Sequence, residues 1–168
     1  MGLQAPPTSR HDVQILTTYF QINGQLETVG PAGNYITDSA RHSLSLYDVH
    51  LSPLTPGSPL KGITRPHAVV LRSQIVLFYL TSEEARASIS TFARLEPLMI
   101  YTPIAVCRGH FPVPSDARAG DFVGVVPGEL LPIRDARIFP FIELPAPFTL
   151  EAELLLIGHS HVLFYHPA

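Results

Sequence analysis

Cysteine is nearly absent. The single Cys107 excludes an internal disulfide and suits a reducing compartment. Charge is sparse too, at 15% of residues against 46% apolar. That balance excludes intrinsic disorder and requires much surface to be buried, some of it between subunits. With 11 basic residues, 14 acidic ones and a net charge of −3, there is no basic stretch to attract nucleic acid or an anionic membrane without specificity. Long apolar runs are missing: "PLMIYTPIAVC" and "QIVLFYL" fall well short of the roughly 20 residues of a spanning helix. The opening "MGLQAPPTSRHDVQ" lacks the charged segment and apolar run of a signal peptide. The expectation is a soluble, cytoplasmic protein.

Concentrated catalytic motifs are also lacking. No G-x-S-x-G, H-E-x-x-H or phosphate-cradling glycine loop occurs. Cys107 closes the apolar stretch "YTPIAVC", where a thiol is usually a packing group. Gly158-His159-Ser160-His161, with His166 further on, is the one stretch that invites a metal. His159 and His161 would share a strand face, but zinc wants three or four ligands. The expectation is no catalytic residue, no cofactor and no metal, with the His159/His161 pair left open.

What the chain has in quantity is punctuation. Its 17 prolines and 11 glycines cut it into short pieces, the pattern of an all-β protein. One segment differs, "TSEEARASISTFARLEP", Thr81 to Pro97. Thr81 and Glu84 have capping-box spacing, the first turn is acidic, and Ile89, Phe92, Ala93 and Leu95 give an apolar stripe. The spacing predicts a helix of about three turns ending before Pro97, dividing the chain into two β-rich halves.

The halves can be laid on each other. "INGQL" (22–26) lies over "CRGHF" (107–111) at an offset of 85. "LYDVHLSPL" (46–54) lies over "IRDARIFPF" (133–141) at 87, pairing Asp48 with Asp135. The endings V-L-F-Y, 76–79 and 162–165, match at 86. Three ordered blocks at nearly constant offset point to a tandem duplication, the differences falling in loops that tolerate insertion. Each unit reads as a long first strand (Val13 to Glu27; Leu98 to Val113), a variable loop, a strand through the aspartate, and a final strand pair. In "SLSLYDVHL" the apolar positions change parity, which predicts a bend or bulge. The aspartates read more simply as backbone-bonding loop residues than as paired catalytic carboxylates.

"INGQL", "LSLYDVHL" and "VVLRSQIVLFYL", and their counterparts "CRGHF", "LLPIRDARIF" and "LLIGHSHVLFY", resemble the strands of the Sm/LSm-like, SH3-type small β-barrel. The chain is also similar to uncharacterised bacterial proteins with one such unit. The resemblance implies two tandem barrels, residues 1–80 and 81–168, with the helix starting the second. It further implies RNA binding in a ring, for which Arg72 in the turn "LRSQ" is the matching contact. The turn of the second unit, "IGHS", has no such group, and nucleic acid is not favoured as a partner.

Apolar strands such as "IVLFYL" need cover on both faces, one from their own barrel and one from a partner barrel, helix or subunit. Val76, Phe78, Leu80, Val162 and Phe164 are the expected assembly surface. Arg65, Arg134 and Arg137 are explained as well by salt bridges as by phosphates. The expected function is a non-enzymatic structural or scaffold subunit. It would join a homo-oligomer, filament or larger complex through edge strands, with an Sm-like RNA-binding protein as the alternative.

Overall fold

The computed structural model describes residues 5–91, 94–126 and 128–168, with the side chains of Phe122 and Val125 left out of the description. Among the described residues there are ten strands: β1 Thr8–Thr17, β2 Phe20–Val29, β3 Ser43–Pro53, β4 Ile63–Leu71, β5 Ile75–Leu80, β6 Leu95–Tyr101, β7 Ala105–Pro112, β8 Leu130–Pro140, β9 Glu151–Gly158 and β10 Phe164–Pro167. They form one antiparallel sheet in the order β10-β6-β7-β8-β9-β5-β1-β2-β3-β4. The fold is all-β, and the sheet is open, with β10 and β4 at its ends. Short helices α1 (Ala32–Thr37), α2 (Glu83–Ala87) and α3 (Phe122–Val125) lie between strands. No helix among the described residues is long and apolar enough to cross a membrane.

The sheet repeats itself. The first half runs β5-β1-β2-β3-β4 and the second β10-β6-β7-β8-β9. Val13 lies opposite Gly24 as Leu98 lies opposite Gly109, an offset of 85. Asp48 and Asp135, 87 apart, are the non-glycine residues with positive φ among those described, at 49° and 50°. A short polar side chain tolerates this left-handed conformation. It breaks the alternation of β3, so Leu44 and Leu46 before Asp48 and Val49 after it are all buried. The parity change in "SLSLYDVHL" has this cause. Opposite each bend, a Cβ on Gly109 would lie 2.4 Å from Ile133 Cγ2, and one on Gly24 3.0 Å from the Tyr47 carbonyl.

Three expectations need correction. The matching V-L-F-Y endings are out of register by one residue. Leu80 pairs with Val13 and Pro167 with Leu98, so the final strands match at 87, with Leu77 equivalent to Phe164 and Phe78 to Tyr165. The turns agree, since Ile75 N–H donates to the Arg72 carbonyl and Val162 N–H to the His159 carbonyl. A slip of one residue exchanges the faces of a strand, so the identical letters hid the true alignment.

Second, each "long first strand" is a hairpin. The Thr17 hydroxyl accepts from Phe20 N–H at 2.9 Å and the Thr102 hydroxyl from Ala105 N–H at 3.1 Å. Each closes a turn without glycine or asparagine.

Third, the helix predicted over 81–96 is only α2, five residues long. Ser82, not Thr81, caps it by accepting from Ala85 N–H. Thr81 is held by the Asp12 carbonyl. Ser88 ends the helix, its hydroxyl donating to the Ala85 carbonyl and accepting from Gly33 N–H. Of the expected stripe, Ile89 is buried, Leu95 opens β6, and Phe92 and Ala93 lie outside the described residues.

Two apolar clusters fill the molecule and interlock at its centre. Ile15, Leu26, Leu44, Ile75, Phe78 and Leu80 of the first half are joined by Leu154 and Leu156 from β9. Leu98, Ile100, Ile133, Leu155 and Ile157 of the second half are joined by Val76 and Leu77 from β5. Each of the two central strands therefore gives one set of side chains to its own half and another to its neighbour's.

Candidate assembly interface

Strands β5 and β9 meet where the two similar halves of the sheet join. Leu77 lies opposite Ile157 and Phe78 opposite Leu156. A Cβ on Gly158 would sit 2.0 Å from the Ile75 carbonyl, so glycine is what lets the strands come this close. His161 Nε2–H donates to the Ser73 carbonyl at 2.8 Å. Beside the junction, Gln21 donates to the carbonyls of Ala146 and Pro147 at 3.0 and 3.1 Å, while its own carbonyl accepts from Ala146 N–H. This buried amide is fully used, as buried polar groups must be.

Arg72 belongs to the same junction. It is only 2% exposed, with one Nη donating to the carbonyls of Asp38 and Arg41. Its Nε lies 3.2 Å from a carboxylate oxygen of Glu129 in the other half. The guanidinium expected to reach toward RNA is committed to backbone and to a cross-half ion pair. The reason is local: Arg72 N–H donates to the His42 carbonyl, which ties the Arg72–Gln74 corner to the loop at 38–42 and brings the side chain against that loop's Asp38 and Arg41 carbonyls.

The five residues expected to form the assembly surface divide sharply. Val76, Phe78 and Leu80 are buried within the chain, because the second half already covers β5. Val162 is half-buried and packs on the second cluster. Phe164 is 58% exposed, and beside it Leu163 is 62% exposed. By the offset of 87 these two correspond to Leu77 and Val76, which in the first half are buried at the junction. Strand β10 is thus the counterpart of β5 without its neighbour. At the far end of the sheet, Val69 and Leu71 on β4 are 55% and 53% exposed. They correspond to Leu156 and Gly158 on β9. The sequence reading missed Leu163, Val69 and Leu71. In "AVVL" four apolar residues follow one another, so some must face outward on a strand with a single buried face.

The remaining candidates do not converge. His159 donates from Nδ1 to the Gly128 carbonyl at 2.9 Å, away from His161 and its Ser73 partner. Among the described residues no three His, Cys, Asp or Glu side chains gather as a metal set. Asp48 and Asp135 are exposed at separate bends, and Asp135 lies 3.5 Å from His110 Nδ1. Cys107 is buried in β7, and burial pushes its thiol up to about 12. Arg134 donates to the Thr91 hydroxyl, Arg137 lies 3.8 Å from Glu151, and Arg65 donates to the Thr64 carbonyl. Compared with known proteins, the chain matches no family model, no curated protein and no solved structure.

Proposed function

We propose that the chain is a non-enzymatic structural subunit. In this reading it is built of two Sm-like small β-barrels fused in tandem and associates with other copies through the two ends of its sheet. The observation that carries the reading is the pair of open edges, each bearing adjacent large apolar side chains in solvent. Leu163 and Phe164 mark one, Val69 and Leu71 the other. Natural proteins usually blunt such edges with charge, bulges or cover, and an apolar edge left bare is ordinarily an interface. RNA binding has less support, because Arg72, the matching contact, is buried against Asp38, Arg41 and Glu129.

The mass of the native particle tests the proposal. Light scattering at micromolar concentration is expected to give a multiple of 18.4 kDa, free of the absorbance of co-purified nucleic acid. A particle of one chain mass would end the structural-subunit reading. Bound RNA would revive the alternative.

A further inference from the structure

We propose that association is head-to-tail. Strand β10 of one copy adds antiparallel to β4 of the next, with Phe164 opposite Val70 and Tyr165 opposite Val69. The inference rests on the reading of the chain as an assembling subunit, and supplies the partner, the polarity and the register.

The chain contains its own template. Within it, the last strand of one unit (β5) pairs with the fourth strand of the other (β9), through Leu77 with Ile157 and Phe78 with Leu156. The strands left over are the other last strand, β10, and the other fourth strand, β4. Transferring the junction by the structural offset of 87 turns Leu77 into Phe164, Ile157 into Val70, Phe78 into Tyr165 and Leu156 into Val69. The side chains follow the same logic. Leu77 and Val76 reach from β5 into the neighbouring half's cluster, and their counterparts Phe164 and Leu163 stand in solvent. Leu156 reaches from β9 into the other cluster, and its counterpart Val69 stands in solvent. Each edge therefore shows the apolar groups that the internal junction buries, on the complementary strand.

The free stretch is short. Pro66 in β4 and Pro167 in β10 lack the N–H a ladder needs, leaving about three residues between them to pair. Only two residue pairs join β5 to β9, so a ladder this short has a precedent in the chain. One position differs. Leu71 stands where Gly158 allows the close approach to the Ile75 carbonyl, so the contact between copies is wider there. Because the two edges are different surfaces, the contact is heterologous and generates a ring or an open filament rather than a two-fold dimer.

The test blocks one edge at a time. A head variant carries Val69→Asp with Leu71→Asp, and a tail variant carries Leu163→Asp with Phe164→Asp. Phe164 stacks on Tyr101 at 4.3 Å, so Leu163→Asp alone serves as a second tail variant that leaves the stack in place. Thermal melts confirm folding, and light scattering reads mass. Each variant alone is expected to be a monomer, and an equimolar mixture of head and tail variants a dimer of twice the chain mass, because one intact edge of each kind remains. Wild-type protein that is itself monomeric would overturn both this inference and the structural-subunit reading. Wild-type protein that assembles, with both blocked variants assembling equally, would overturn the head-to-tail contact alone. So would a mixture that stays monomeric.

Discussion

Beneath the corner after β4, a guanidinium is held by two carbonyls and a carboxylate, and it illustrates how far a side chain's role depends on its direction. In the letters, Arg72 is a lone cation in a polar turn. In the fold it fastens the loop at 38–42 to Glu129 of the other half. Arg72→Met keeps much of the volume, leaves the Arg41 carbonyl without its donor and removes the cation facing Glu129, while the Asp38 carbonyl still accepts from Arg41 N–H. It is expected to lower unfolding free energy by about 1–3 kcal/mol, measured by urea denaturation. Cys107 gives a pH test. Its thiol is held up to about 12 against an ordinary 9.0 by burial, so above pH 9 the unfolded chain releases a proton that the folded chain keeps. Stability from this group is complete below pH 9 and is lost as pH rises toward 12, at up to about 1.4 kcal/mol per pH unit. Cys107→Ala is expected to flatten the fall in urea midpoint between pH 8 and 10.5 relative to wild type. The same thiol should resist a disulfide reagent until the protein unfolds.

Single elements were legible where one residue type forces the geometry, and obscure where partners decide. The bend at Asp48 was visible as a parity change, because alternation fails wherever a residue leaves the β region, and Asp135 was paired with it only through the repeat. The hairpin turns were not, since Thr17 and Thr102 use a hydroxyl where glycine would have signalled a turn. The helix was overdrawn because capping spacing and an acidic first turn fix where a helix starts, while Ser88, bonded to Gly33, fixes where this one stops. The candidate interface was half legible. Surplus apolar strand surface showed in "IVLFYL", but which copy of that surface the chain itself covers depends on strand order. The glycines opposite the bends supply a graded test. Gly109→Ala, whose methyl would lie 2.4 Å from Ile133, is expected to destabilise more than Gly24→Ala, whose nearest neighbour is at 3.0 Å. Costs of about 1–3 kcal/mol are typical of such overpacking, and paired thermal melts give the order.

Across the whole molecule the two halves are not independent bodies, because β5 and β9 each complete the other's cluster. Residues 1–80 expressed alone would lose Leu154 and Leu156 from their core. The fragment is expected to show no cooperative melt until residues 81–168 are added in trans, a result that circular dichroism reads directly. A fragment that melts cooperatively by itself would show that the exchanged leucines are dispensable. The internal junction also sets an arithmetic constraint. Every chain brings two units already married at β5 and β9, so a closed circle formed by repeating that contact must hold an even number of units. Odd-numbered circles, open to a protein with one unit per chain, are closed to this one.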